Sequence, residues 1–207
     1  MLQGWRQMET IKRSKIDMCF SVKGSIIPVD HGFYVYSALS RMMPQIHQRN
    51  DIVIKPIRGR YKGNGVLDIS PCSELVLRLN TNQIQEYLFL ANTRIKVNGY
   101  KIVIGSLCFK SINPHPNLYA HTVTTKNGQN QQRFETEITK QLRKISFNAR
   151  IKILKRKTLK IHNQQVVGYS LSVHDLTRQE SIFLQEKGLG GRRKMGCGFF
   201  EHGKQNK

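Results

Sequence analysis

Gln185-Glu-Lys-Gly-Leu-Gly-Gly-Arg-Arg-Lys-Met-Gly-Cys-Gly-Phe-Phe200 is the stretch on which the reading of this chain turns. Gly188, Gly190, Gly191, Gly196 and Gly198 crowd into it, with Arg192, Arg193 and Lys194 among them. Glycine admits left-handed backbone and lets a chain come close to a ligand. Successive backbone N–H groups in such a loop can form an anion-binding concavity. Adjacent cations would add charge-assisted bonds to phosphate oxygens. A flexible basic surface loop is the plainer alternative, but a glycine cluster wedged between a helix and a strand is a constrained place. Neither GxxxxGK[ST] nor a GxGxxG after a first strand is present, so nucleotide-cofactor readings fail on context.

Outward from the loop, Thr177 and Glu180 form the capping box of a helix running to about Lys187. Met195–Phe200 reads as a final short strand. Upstream lie a strand at Leu118–Thr125 and a helix at Arg133–Ser146, with Phe134, Ile138, Leu142 and Ile145 on one face. Strands follow at Ala149–Leu154, Thr158–Ile161 and Val166–Val173. The first half has the same order. Ile16, Met18, Phe20 and Val22 alternate as in a half-buried strand. Val35, Leu39, Met42 and Ile46 recur at helical spacing, with Asp30 as a cap and Pro44 near the end. Ile52–Ile57, Val66–Ile69 and Leu75–Leu79 are rich in β formers, and Thr81–Leu90 reads as a second helix. Arg94–Val97 and Tyr100–Phe109 flank Asn98-Gly99, a strong hairpin signal. Each half spells β-α-β-β-α-β. The chain is therefore predicted to be α+β, a tandem of ferredoxin-like (RRM-like) βαββαβ domains over 15–110 and 117–200. Ser111-Ile-Asn-Pro-His-Pro116 is the linker.

Charge narrows the partner. In 207 residues, 34 Lys and Arg stand against 13 Asp and Glu, a net +21. Such an excess repels itself and calls for a polyanion. Nucleic acid comes first and an anionic membrane second. Glu135 and Glu137 interrupt the most basic helix, whose apolar face suits an ordinary core, so the membrane reading is set aside. No apolar run reaches the roughly 18 residues of a membrane span. Met1–Lys15, with Trp5, Arg6, Lys12 and Arg13, lacks the apolar stretch of a signal peptide. Cys19, Cys72, Cys108 and Cys197 are scattered singly with no CxxC pair, which predicts reduced, mostly buried thiols in the cytoplasm. Few sheet aromatics stand out in the first half, which favours duplex-stem recognition over base stacking.

The GLGGRRKMGCGFF segment behind its LQEKG helix resembles the CRISPR repeat-processing endoribonucleases of the RAMP superfamily, the sixth Cas protein family. Pro28-Val-Asp-His-Gly32 and Ile57-Arg-Gly59 look like its MYXAN-type branch. The resemblance spans about Lys15 to Phe200. It implies cleavage of the CRISPR precursor transcript within each repeat, with no metal or other cofactor. It also implies CRISPR repeat RNA, stem-loop or single-stranded, as partner, and a crRNA-guided surveillance complex as a further one. A non-catalytic RNA-binding subunit, crRNA-holding or ribosomal in type, shares the same charge and loop.

Metal-free RNA cleavage uses the neighbouring 2′-hydroxyl as nucleophile and needs a proton acceptor, a proton donor and cations. Histidine suits the proton transfers, since its ordinary pKa lies near neutral pH. His115, His121, His162, His174 and His202 read as solvated or ordinary sheet histidines. His31 and His47 bracket the first helix. The family places its histidine just after that helix, which selects His47, with His31 as the alternative or as a residue orienting the helix start. Relatives also use a tyrosine on the helix and a lysine beyond the histidine. Here Tyr34, Tyr36 and Lys55 are on offer without aligning cleanly, and Ser40 falls nearer the tyrosine's place. Tyr36 lies eleven residues before His47, so a shared site requires the chain to fold back, and a packing role competes with a catalytic one. The loop glycines with Arg192, Arg193 and Lys194 are the expected RNA-binding residues.

Overall fold

A computed structural model describes residues 14–146, 148–161 and 164–203. Trp5, Arg6, Lys12, Arg13 and His162 lie outside the described residues. The first half runs β1 (Lys15–Lys23), β2 (Ile26–Pro28), α1 (Gly32–Met42), a 3-10 turn (Pro44–His47), β3 (Val53–Lys55), β4 (Arg60–Gly63), β5 (Val66–Asp68), β6 (Glu74–Asn80), a 3-10 run (Thr81–Leu90), β7 (Arg94–Val97) and β8 (Tyr100–Ser111). Its main sheet has the order β3-β6-β1-β8-β7, and β2, β5 and β4 form a small sheet beside it. β1 is central and antiparallel to both neighbours. Met18, Phe20 and Val22 point into the core and meet Val35 and Leu39 of α1, while Asp17 and Cys19 take the opposite face. That is the period-two alternation at work. Asn98 and Gly99 both have positive φ, 46° and 91°, as a tight primed hairpin turn requires.

The second half runs β9 (Leu118–Thr124), α2 (Gln131–Arg143), β10 (Arg150–Ile161), β11 (Gln164–His174) and α3 (Arg178–Lys187), with a single 3-10 turn at Arg193–Met195. Its sheet is β10-β11-β9. Phe134, Ile138 and Leu142 of α2 and Leu184 of α3 cover one face with Tyr169 and Leu171. The capping box on α3 is formed: Glu180 N–H donates to Thr177 Oγ1, and Thr177 N–H donates to Glu180 Oε2. Two cores, one per half, and the main antiparallel sheet of each half make the tandem ferredoxin-like arrangement.

Four expectations are corrected. Met195–Phe200 is no strand; it makes a 3-10 turn and loop, and only Tyr119 bridges Glu201 beyond it. Ala149–Leu154 and Thr158–Ile161 are one continuous strand, β10, with a bulge between Ile153 and Arg156. As a sheet edge, β10 has solvent for its Lys and Arg residues, so the cations do not interrupt it. Thr81–Leu90 is 3-10 rather than α-helical. Ile46 does not continue α1: the residue before a proline is pushed out of the helical region, and Met43 sits at φ −137°, ψ 78°. That break positions the site.

Candidate active site

A continuous helix would carry residues eleven apart roughly 16 Å along its axis. Instead α1 stops at Met42, Pro44 starts a separate 3-10 turn, and His47 returns onto α1. Tyr36 Oη and His47 Nδ1 are 2.7 Å apart, with the rings edge to face at 5.4 Å. Tyr36 is buried to 8% exposure, so it packs in the core and offers its hydroxyl at the same time. His47 is exposed. Whichever partner carries the shared proton, Nδ1 is taken, and on an exposed imidazole that leaves Nε2 for a substrate.

The glycine-rich loop of the second half arrives at this turn. Lys194 Nζ donates to the carbonyls of Ile46 at 3.0 Å and His47 at 2.8 Å, and it lies 5.5 Å over the Tyr36 ring. Burial pulls the Lys194 ammonium below the ordinary lysine range. Arg193 donates to the carbonyls of Gly190 and, at 3.3 Å, Asn50. Arg192 is exposed and adopts left-handed backbone, φ 59°. Beside the turn, a cleft of about 670 Å³ is lined by Lys15, Arg49, Asn50, Lys187 and Arg193 together with Glu186.

The loop's glycines serve packing. A Cβ on Gly190 would meet Thr124 O at 2.4 Å, one on Gly188 would meet Gly198 O at 2.2 Å, and one on Gly198 would meet Leu189 O at 2.3 Å. Gly196 lies against Pro56, and Gly32 of α1 against Met195 O. The anion-binding concavity expected from the sequence is largely spent. The N–H groups of Gly188, Leu189, Gly190, Gly191, Gly196 and Gly198 donate to Leu184 O, Gly198 O, Gln141 Oε1, Thr124 O, Arg193 O and Thr122 O. Gly191 has an ordinary φ; its neighbour Arg192 carries the left-handed one.

His31 is not brought into this centre as a free group. It is 2% exposed, its Nδ1 lies 2.8 Å from Pro28 O, and its Nε2 accepts the Ile57 N–H at 2.9 Å. Burial holds it below the usual imidazole range. It pins the start of α1 to the exit of β3. Ser40 donates back to Tyr36 O within α1. Tyr34 packs against the first core. Lys55 is bound to Asp17 at 2.8 Å and Glu201 at 3.5 Å. His115 and His202, expected to be solvated, stack at 3.9 Å. His121 bonds Thr122 Oγ1, and His174 bonds Asn117 and Ser172.

Sequence reasoning missed two clusters. Arg78, 2% exposed, donates to both carboxylate oxygens of Asp17 at 2.7 and 2.9 Å, and to Gln185 O and Phe200 O of the second half. Burial pushes the Asp17 carboxyl up, but Arg78 and Lys55 more than offset it, leaving it below the ordinary aspartate range. The cysteines are less buried than expected: Cys72 and Cys108 are exposed. Cys19 and Cys108 face each other across β1 and β8, beside Glu74. Lys110 holds the Glu74 carboxylate, and burial pushes the Cys19 thiol up to about 12, so the group rests as an ion pair and a neutral thiol.

The family model described as Cas6 Crispr matches residues 16–205. The chain is 31% identical over 185 residues to the CRISPR-associated endonuclease Cas6 of Myxococcus xanthus (strain DK1622), covering 89% of this chain and 80% of that protein. Among solved structures, a CRISPR associated protein Cas6 superposes with a TM-score of 0.66 at 14% identity, over 92% of this chain and 100% of that one. A Cas6 product complex superposes with a TM-score of 0.52 at 12% identity, over 90% and 98%. At these identities the structural matches speak for the fold alone. No helix among the described residues is long and apolar enough to cross a membrane.

Proposed function

This chain belongs to the Cas6 family, and on that premise we propose that it is an endoribonuclease that cuts CRISPR precursor RNA within each repeat. The relative from Myxococcus xanthus is named an endonuclease, which supports cleavage as the activity. The observation that carries the chemistry is the Tyr36–His47 pair at 2.7 Å. The nucleophile is the RNA's own 2′-hydroxyl, attacking the adjacent phosphorus, so no metal-activated water has to be made. The 2′ oxygen bonds phosphorus, the bond to the 5′ oxygen breaks, and the products are a 2′,3′-cyclic phosphate and a 5′-hydroxyl. One proton leaves the 2′-hydroxyl and one reaches the departing 5′ oxygen; His47 Nε2 passes one of the two and water the other, and Tyr36 orients the imidazole through Nδ1. Arg192 and the cations of the adjacent cleft face the polyanion, and the net +21 draws it in.

The test is repeat RNA incubated with purified protein in EDTA. Wild type is expected to cleave fully and leave a cyclic phosphate end. His47→Ala should lose roughly 10²-fold or more in rate, the scale of a positioned proton-transfer group, with binding nearly intact. Tyr36→Phe should lose less. Wild-type rates for His47→Ala would remove the histidine from the mechanism. Tight binding by wild type without any cut would make the chain an RNA-holding protein.

A further inference from the structure

The three adjacent cations of the loop do different things. Arg192 is exposed, whereas the Lys194 ammonium is bonded to two carbonyls of the turn that ends in His47. The Ile46 carbonyl also accepts the Arg49 N–H at 3.3 Å just past the turn, and a cation at a helix C-terminus is favourable. The Lys194 ammonium also lies 5.5 Å over the Tyr36 ring, so one charged group reaches both members of the Tyr36–His47 pair. Its backbone is held firmly. Met195 O sits where a Cβ on Gly32 would be, at 2.3 Å, and Gly196 lies against Pro56, where a Cβ would meet Cγ at 2.7 Å. Arg193 ties the same turn to Asn50 O just past His47.

We propose that Lys194 is a positioning residue for His47: it clamps the Pro44–His47 turn onto Tyr36 from the opposite half of the molecule, instead of serving as an RNA phosphate contact. The clamp explains how a short, exposed turn after a helix break holds an imidazole at a fixed angle. It also makes the active centre a joint product of both halves, since the imidazole comes from one and its tether from the other. The proposal rests on the reading of His47 as the proton-transfer group.

Lys194→Met and Lys194→Arg are compared with Arg192→Ala, using repeat RNA for single-turnover cleavage and RNA with a 2′-deoxy sugar at the cut site for affinity. Lys194→Met is expected to lower the saturated rate by roughly 10- to 100-fold, the scale of a misplaced catalytic group. Its dissociation constant should stay within about twofold of wild type, with an unchanged salt slope. Lys194→Arg should recover part of the rate, because a guanidinium can still donate to both carbonyls. Arg192→Ala should instead weaken binding and reduce the salt slope by about one. If Lys194→Met weakens binding and lowers the salt slope while cleaving at the wild-type saturated rate, Lys194 is a phosphate contact and the proposal is wrong. If wild type does not cleave, the endonuclease reading fails separately. The clamp is then read from the His47 imidazole nitrogen resonances of the free protein, which Lys194→Met should move and Arg192→Ala should not. Unmoved resonances overturn it, and a melting curve guards against a variant that has lost its fold.

Discussion

The two halves complete their first strands in different ways. In the first, β8 runs along β1 in a ladder from Ile16 opposite Ser111 to Lys23 opposite Val103. In the second, the segment after α3 occupies the matching edge of β9 and touches it at points: Gly191 N–H on Thr124 O, Gly198 N–H on Thr122 O, and the Tyr119–Glu201 bridge. A regular strand needs every second residue on the ladder, which leaves no length to spare. A glycine-rich segment can pair at three places and bulge between them. The bulge carries Arg193 and Lys194 across to the first half. The second half gives up a ladder and gains reach.

The difference predicts where the molecule is most fragile. β8 is held by many backbone bonds, while the tail relies on few, and the Arg78 side chain adds a bond at Phe200 O of the tail and another at Gln185 O of α3. Arg78→Ala would leave the buried Asp17 carboxylate without its main partner and two carbonyls without donors. The loss expected for breaking a buried pair is about 3–5 kcal/mol, read as a lower urea midpoint. A loss under about 1 kcal/mol would mean the tail holds its place without Arg78.

Within the tail, neighbouring glycines separate close approach from open space. Gly190 has φ 71° and a would-be Cβ 2.4 Å from Thr124 O, whereas the nearest atom to a Cβ on Gly191 is 3.9 Å away. Gly190→Ala should cost roughly 1–2 kcal/mol from the left-handed backbone alone, with the clash added. Gly191→Ala should stay within about 0.5 kcal/mol. Urea unfolding of both variants checks the pair, and equal effects would deny that the tail's contacts are points.

Local signals were legible in the sequence. Alternation placed β1, the Thr177–Glu180 box placed α3, and Asn98-Gly99 placed the β7–β8 turn. The loop was found where it lies, but what its glycines approach was not, because Thr122, Thr124 and Pro56 are far away in the chain. A helical period over ten residues does not separate 3-10 from α at Thr81–Leu90, since both put apolar residues on one side. The Tyr36–His47 contact depends on which way the chain leaves Met43, and Pro44 announces only that it leaves. Arg78 gave no sign at all. It is a single cation in a leucine-rich strand, and its partners come from β1 and from the far half.

The receiving side of the loop offers the smallest and most specific test. His31 immediately precedes Gly32, against which Met195 O rests, so it fixes the surface on which the loop lands. Its Nε2 accepts the Ile57 N–H, and a second proton there would set donor against donor. Burial, as the larger cause, lowers its pKa from the ordinary 6.5. The unfolded chain therefore takes up this proton before the folded one does. Stability from His31 is complete above about pH 6.5 and declines as the pH falls from there toward the folded value. The decline is bounded by about 1.4 kcal/mol per pH unit. Urea midpoints of wild type and His31→Asn at pH 7.5 and pH 5.0 isolate it, because other titrating groups cancel in the difference. Wild type should lose more than the variant on acidification. An equal loss in both would show that His31 is free to protonate in the folded protein, and would return it to candidacy as a proton-transfer group beside His47.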